Sequence, residues 1–185
     1  MVETAYAARH DLELVALAVA GGRPAFGELV RRHGSAVRAL LRRMGAEPHL
    51  ADDLAQDAFL AAFEQITEFR GEGTFQAWVK RIAVRAYVKR WRRDAHEELM
   101  ADTPELASAG ADPAAVIDLD EALRSLSDPE RVCVTLCYGA GMSHSEAALA
   151  LNAPLGTVKS HVKRGIDKLR LRLAPSGRME SRVNG

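Results

Sequence analysis

A stretch in the middle of the chain is too poor in large apolar residues to build a hydrophobic core. It contains Pro104, Gly110 and Pro113 among many alanines and acidic side chains. Such a composition buries too little surface to offset the entropy of ordering the backbone. We therefore expect two small domains joined by a flexible acidic linker. The expected organisation is a domain at 10–93, a linker at 94–117, a second domain at 118–174 and a tail at 175–185.

Apolar residues on both sides of the linker recur every three or four positions, and no run alternates in the manner of a half-buried strand. This period predicts amphipathic helices and an all-α fold. Gly45 and Pro48 mark the end of one helix, in which a break near Gly34 is left open. The predicted helices cover residues 24–44, 50–63, 74–91, 119–126, 128–138, 143–151 and 155–173.

The C-terminal domain has the pattern of a helix-turn-helix. Asp128 is the expected N-cap of one helix, with Pro129 at its first position. Ser143 and Glu146 have the spacing of a capping box at the start of a short helix, and residues 152–154 form a turn before a long basic helix. In such a motif the second helix enters the major groove of DNA by its N-terminal residues. The candidate contacts with duplex DNA are Ser143, Gly156, Thr157, Lys159, Ser160, His161, Lys163 and Arg164.

The formal net charge is zero, yet the charges are segregated along the chain. Residues 70–93 contain eight basic side chains and one acid, residues 94–121 contain nine acids without lysine or arginine, and residues 155–172 contain six basic side chains and one acid. Local blocks of this kind, rather than the total, decide whether a surface attracts nucleic acid. Both domains therefore carry a candidate DNA-binding surface.

The stretch at 69–93, which contains the first basic block, also holds half of the chain's aromatic residues, among them Trp78, Tyr87 and Trp91. Aromatic rings interleaved with cations suit unpaired bases, because the rings stack on the bases while the cations hold the backbone. Trp78 is also compatible with a core position beside Ile82, and for Tyr87 and Trp91 the two readings are evenly matched. The candidate contacts are Arg70, Gly71, Thr74, Trp78, Lys80, Arg81, Arg85, Tyr87, Lys89 and Arg90.

A third candidate surface lies on the helix predicted at residues 50–63, which displays acids and a glutamine beside apolar side chains. Such a face can dock a basic partner around an apolar centre. A merely solvated acidic face is the alternative. The candidate partner contacts are Asp52, Asp53, Gln56, Asp57, Phe59, Leu60 and Phe63.

Other classes of protein find little support. No apolar run is long enough to span a membrane and the N-terminus has no secretory pattern, so we expect a cytoplasmic protein without membrane insertion. Cys133 and Cys137 are expected to be buried thiols on a helix face, and the scattered histidines have no ligand spacing. We find no nucleophile and base pair, phosphate loop or metal cluster, and expect neither enzymatic activity nor a cofactor.

Taken in order, these segments resemble the bacterial sigma factors of the extracytoplasmic-function group. DDLAQDAF at 52–59 is similar to the helix by which the family grips core RNA polymerase, and FRG at 69–71 through WVKRIA at 78–83 to the segment that melts and reads the minus-ten element. PLGTVKSH at 154–161 is similar to the helix that reads the minus-thirty-five element. The resemblance implies a sigma-two and a sigma-four domain, with core RNA polymerase, promoter DNA and an anti-sigma factor as partners.

The chain departs from the family pattern at three positions. Arg85 and Lys89 stand where the family usually has asparagine and aspartate, and His161 stands where arginine is commoner. Two alternatives remain open at this point: a decoy that binds an anti-sigma protein but no DNA, and a stand-alone helix-turn-helix regulator. The acidic linker is compatible both with threading into polymerase channels and with a plain tether.

Overall fold

The computed structural model describes residues 6–98 and 119–173, with the backbone alone at 94–98. Within these residues the chain forms helices and connecting turns without any strand, which confirms the predicted all-α class. The helices are α1 Asp11–Val19, α2 Arg23–Met44, α3 Pro48–Glu64, α4 Phe75–Glu98, α5 Leu119–Arg124, α6 Asp128–Val134, α7 His144–Leu151 and α8 Leu155–Leu173. A 3₁₀ turn, Ile66–Glu68, follows α3, and a π-helical turn, Thr135–Gly139, continues α6.

The helix α2 is continuous through Gly34, so the break considered there does not occur. Gly34 is buried within the helix, and the guanidinium of Arg38 lies close to where a Cβ would be. Packing on both sides of the helix outweighs the weak helix preference of a single glycine. The helix ends instead at Gly45, whose φ of 108° reverses the chain in the left-handed region that favours glycine.

The first helix, α1, is held against α2 by one acidic side chain. Asp11 accepts a hydrogen bond from Arg32 at 3.0 Å and lies 2.8 Å from the Nε2 atom of His33. Arg32 also donates to Glu28, which is buried and paired with Arg31 as well. These hydrogen bonds from Arg31 and Arg32 lower the pKa of Glu28 to about 2, so its carboxylate stays charged. The network fixes the start of the N-terminal domain.

The core of the N-terminal domain lies between α2, α3 and α4. Leu29, Leu41, Phe75 and Val84 are among its fully buried side chains. Burial of a large apolar side chain stabilises a fold by about 1.5 to 3 kcal/mol, so these contacts determine how the three helices pack. One face of α3 and one face of α4 do not pack in this core and are exposed to solvent.

The C-terminal domain begins its second helix one residue earlier than predicted. Ser127, not Asp128, is the N-cap of α6, and its backbone N–H donates to Glu130 at 3.3 Å. The capping box at the start of α7 is confirmed: Ser143 Oγ accepts from the amide of Glu146, and the Glu146 carboxylate accepts from the amide of Ser143. Asn152 then turns the chain from α7 into α8 with a φ of 51°.

The two domains pack against each other. Gly139, at the end of the π-helical turn, lies so close to α2 that a Cβ there would be 2.6 Å from Leu40 Cδ1. Across the same joint Arg43 donates to Asp120 at 2.7 Å. The buried apolar residues of α2, α4, α6 and α7 form one continuous cluster. The domains therefore share a core in this arrangement.

The predicted start of the linker can be compared with the end of α4. The α4 helix runs to Glu98, so the linker predicted from residue 94 begins with helical backbone, while the rest of that linker and the tail lie outside the described residues.

The two cysteines were expected to be buried thiols. Cys133 is buried and Cys137 is half-buried, and burial raises the pKa of the Cys133 thiol to about 11. Of the helices described, none is long and apolar enough to cross a bilayer.

Candidate polymerase and DNA surfaces

The predicted partner face on α3 forms one wall of a groove whose other wall is α2. The groove has a volume of about 740 Å³. It is lined by Arg23, Phe26, Gly27, Val30, Arg38, Asp52, Ala55, Gln56, Phe59, Leu60 and Phe63. Five of the seven side chains predicted from the sequence therefore line the groove together.

The chemistry of the groove is an apolar floor with a charged rim. Phe59 is buried in the floor and Phe63 is half-buried, whereas the Leu60 side chain is 58% exposed at the edge. Asp53 and Asp57 are exposed on α3 but do not line the groove. An apolar centre surrounded by charge is the usual anatomy of a protein interface. Sequence reasoning missed the α2 wall, because its apolar residues had the same three-four spacing as core residues.

The basic block of α4 divides into exposed and half-buried cations. Arg85, Lys89 and Arg90 are exposed along the helix, while Lys80 and Arg81 are half-buried. Burial, with a smaller contribution from nearby Arg43, lowers the pKa of Lys80. The exposed cations are those best placed to hold a phosphate backbone.

The loop before α4 is short and open. Arg70 and Gly71 are exposed, and Gly71 and Gly73 have φ angles of 76° and 92° that other residues rarely adopt. Thr74 is exposed and its Oγ1 accepts a hydrogen bond from the amide of Ala77 at 3.1 Å, so it caps the first turn of α4. The loop and the exposed side of α4 together form one face.

The aromatic residues of this block are used mainly for packing. The Trp78 ring lies 5.4 Å from the Phe69 ring and 5.8 Å from the Phe75 ring, and it is half-buried. Tyr87 is only 6% exposed, and its hydroxyl donates to the carbonyl oxygen of Met44 at 2.8 Å. The structure thus places Tyr87 in the core rather than on the DNA-facing side, and leaves an edge of Trp78 accessible.

On the C-terminal domain, α8 has the position of a recognition helix. Val158 and Val162 are buried against the preceding helices, while Lys159 and Lys163 are exposed on the other side. Neither lysine forms an ion pair within the described part of the chain. Gly156 and Thr157 are also exposed in the first turn, where the amide of Thr157 donates to the carbonyl oxygen of Pro154 at 3.0 Å.

Two predicted contacts on this domain use their hydroxyl groups within the chain. Ser160 donates to the carbonyl oxygen of Gly156 at 2.9 Å, and Ser143 accepts the capping hydrogen bond from Glu146. Both side chains are exposed. Ser160 therefore has only lone pairs left for a contact with DNA, whereas Ser143 keeps its O–H donor as well.

His161 and Arg164 belong to a charge network. Arg164 donates to His161 Nδ1 at 2.9 Å and lies 3.4 Å from buried Glu130, which also accepts from Lys168 at 2.7 Å. Partial burial, together with the charge of Arg164, lowers the pKa of His161. Since a guanidinium can only donate, Nδ1 accepts and the proton of the neutral ring lies on Nε2. His161 thus presents a neutral donor.

One predicted DNA contact instead joins the two domains. Arg81 donates to the carbonyl oxygen of Gly141 at 3.3 Å and lies 3.6 Å from the carboxylate of Glu146. Both partners belong to the C-terminal domain. Arg81 therefore links the basic block of α4 to the C-terminal domain. Residues 6–98 and 119–173 contain no group of His, Cys, Asp and Glu with the geometry of a metal site.

Comparison with known proteins agrees with this division into two domains. The model for Sigma-70 region 2 matches residues 29–97, and that for Sigma-70, region 4 matches residues 117–169. The ECF RNA polymerase sigma factor SigM of Mycobacterium tuberculosis H37Rv is 36% identical over 163 residues, which cover 87% of this chain and 83% of SigM. The ECF sigma factor SigE of Mycolicibacterium smegmatis is 32% identical over 161 residues, which cover 82% of this chain but only 62% of SigE.

A solved structure also has the same arrangement of helices. The sigma factor RpoE in complex with the anti-sigma factor NepR from Bartonella quintana is similar with a TM-score of 0.56 and 25% identity, over 82% of this chain and 98% of RpoE. The order of the two matched regions, the identity to whole relatives and this likeness confirm the resemblance drawn from the motifs. The chain belongs to the extracytoplasmic-function group of RNA polymerase sigma factors.

Proposed function

We propose that this sigma factor binds core RNA polymerase through the groove between α2 and α3. It binds minus-ten DNA through the exposed side of α4 with the preceding loop, and minus-thirty-five DNA through α8. The chain makes and breaks no covalent bond in this scheme and works in the cytoplasm. An anti-sigma factor is a further proposed partner, because a free factor with two cationic faces would bind DNA without selection.

The groove is the observation that carries this proposal. Its apolar floor and charged rim lie on α2 and α3, whereas the exposed cations of the two predicted DNA surfaces lie on α4 with its preceding loop and on α8. The polymerase and DNA surfaces are therefore separate. The DNA-binding set is then the exposed part of the predicted one. It comprises Arg70, Gly71, Thr74, Arg85, Lys89 and Arg90 on the N-terminal domain, with the half-buried Trp78 beside them, and Ser143, Gly156, Thr157, Lys159, Ser160, Lys163 and Arg164 on the other.

The test is a matched pair of substitutions of exposed leucines. Leu60 lies on the edge of the groove and Leu12 lies outside it, and their side chains are 58% and 57% exposed. Leu60→Glu should weaken binding to purified core polymerase about tenfold or more, because it places a charge against the apolar centre of an interface. Leu12→Glu should bind as the unchanged protein does. Equal effects of the two changes would remove the groove from the proposal.

Run-off transcription tests the rest of the scheme. Core polymerase with this chain should give a promoter-dependent transcript, and Lys159→Ala with Lys163→Ala should reduce it while core binding stays unchanged. A chain that binds core polymerase or an anti-sigma protein but starts no RNA at any promoter would be a decoy. Tight and specific duplex binding without polymerase would identify a stand-alone regulator.

A further inference from the structure

The joint between the two domains contains a cavity separate from the groove. Its volume is about 410 Å³, within the range of small-molecule sites. It lies between the end of α2, the start of α3 and the helices α5 and α6. Its lining residues are Arg42, Arg43, Gly45, Ala46, Glu47, Pro48, Asp120, Leu123, Arg124 and Arg131.

The cavity has an excess of positive charge. Four arginines line it against two carboxylates, those of Glu47 and Asp120. Asp120 is already engaged by Arg43 at 2.7 Å. Arg42 and Arg124 are exposed and form no ion pair within residues 6–98 and 119–173. Two guanidinium groups, one from each domain, are therefore left to face a ligand.

A third guanidinium reaches the cavity through space that a glycine leaves open. A Cβ on Gly45 would be 2.5 Å from Arg131 Nη2, so the Arg131 guanidinium occupies the space beside this glycine at the end of α2. Arg131 donates to Asp128 at 2.7 Å through Nη2, and its Nε is buried without a hydrogen bond in the described structure. The guanidinium is thus held in place by the fold but incompletely satisfied.

We propose that this cavity binds a small polyanion with two or more linked phosphate groups. Guanidinium groups hold phosphate oxygens by pairs of parallel hydrogen bonds, and linked phosphates could engage Arg42 and Arg124 at once. Since the arginines come from both domains, the ligand also stabilises the packed arrangement. The proposed binding of a polyanion does not depend on the proposed binding of polymerase.

Inorganic pyrophosphate is the probe, and calorimetric titration of the full chain is the measurement. Replacing both Arg42 and Arg124 by alanine should weaken pyrophosphate binding about tenfold or more, since two charge-assisted contacts are lost. The matched control is Arg9→Ala. It removes an exposed arginine that pairs with Glu13 and does not line the cavity. It should leave the affinity unchanged. Pyrophosphate should also raise the midpoint of thermal unfolding of the unchanged protein, and orthophosphate should bind more weakly.

Several outcomes would overturn the proposal. They are the absence of saturable pyrophosphate binding at millimolar concentration, equal weakening by Arg9→Ala, and unchanged binding in the double alanine variant. A double variant that loses affinity for a short DNA duplex but not for pyrophosphate would show that these arginines hold a nucleic-acid backbone instead. If the alanine variant unfolds, replacement of both arginines by lysine keeps the charge but removes the paired donors, and binding should still weaken.

Discussion

Glu130 is the side chain on which the charges of the C-terminal domain converge. It is 3% exposed, it accepts from Lys168 at 2.7 Å and it also accepts from the Ser127 backbone. Burial on its own would raise the pKa of this carboxyl. The hydrogen bonds from Lys168 and Ser127 outweigh burial, so the pKa is lowered from its ordinary value of 4.5. The charged form of Glu130 therefore stabilises the folded domain.

Glu130→Gln should lower the free energy of unfolding at pH 7 by about 1 to 2 kcal/mol, because the charge-assisted hydrogen bonds are weakened. A carboxyl with a lowered folded pKa stabilises the fold above its ordinary pKa and loses this contribution as the pH falls below it. The difference in the free energy of unfolding between the unchanged protein and Glu130→Gln should thus shrink as the pH falls from 5 toward the pKa of Glu130 in the folded protein. Urea unfolding across that range measures it. Glu64→Gln, on an exposed residue, should show no such convergence.

Tyr87 offers a test of its position in the core rather than in a DNA surface. Tyr87→Phe removes the hydroxyl that donates to Met44 and should cost about 1 kcal/mol of stability, since a buried carbonyl loses its partner. Tyr138, whose side chain is 69% exposed, is the control, and Tyr138→Phe should be nearly neutral. Urea unfolding gives both values. Unchanged stability with weakened promoter binding would return Tyr87 to the DNA-facing set.

At the scale of the element, two glycines make α8 sensitive to the same substitution in opposite ways. A Cβ on Gly165 would be 2.7 Å from Val134 Cγ2, and Val134 is buried, whereas a Cβ on Gly156 would meet nothing within 4 Å. Gly165→Ala should destabilise the protein by about 1 to 3 kcal/mol through overpacking of α8 against α6. Gly156→Ala should be neutral or stabilising by up to about 1 kcal/mol. Thermal unfolding compares them, and equal effects would contradict the close packing of α8.

The helices were predictable because their signals are local. Gly45, the Ser143 capping box and the spacing of Val158 and Val162 each act within a few residues, and the structure has the helices where they indicate. Gly34 shows the limit, since its burial inside α2 depends on packing that a sequence pattern does not contain. The N-cap at Ser127 differs from this case, because Ser127 and Glu130 have the local spacing of a capping box that sequence reasoning missed.

The candidate surfaces were predictable only in part, because they depend on which helices meet. The acidic residues of α3 marked one wall of the groove, but nothing local assigned Phe26 and Val30 of α2 to the other. Tyr87 lies one turn from exposed cations, and only the contact with Met44 shows that it points inward. Arg131 likewise lies against Gly45, from which it is separated by many residues in the sequence. Such long-range pairings follow from tertiary packing rather than from periodicity.

For the whole molecule, the packing of the two domains engages one cation that the sequence assigned to DNA. Arg81, from the basic block of α4, is bound to Gly141 and Glu146 of the other domain. The charge of Arg81 also contributes to lowering the pKa of Glu146, after the larger effect of the hydrogen bonds with Ser143. An Arg81 side chain held in this way cannot reach a DNA phosphate at the same time. Arg81 can therefore add to the proposed DNA contacts only when the two domains separate.

The ion pair between Arg43 and Asp120 allows the packing of the domains to be varied without touching the proposed DNA contacts. An exposed pair contributes up to about 1 kcal/mol, which corresponds to about a fivefold change in the ratio of packed to separated molecules. Arg43→Glu replaces attraction by repulsion and should raise the radius of gyration measured by small-angle scattering. Adding Asp120→Arg reverses the pair and should restore the compact value, while Arg9→Glu serves as the charge control. If all four proteins scatter alike, this ion pair does not hold the domains together.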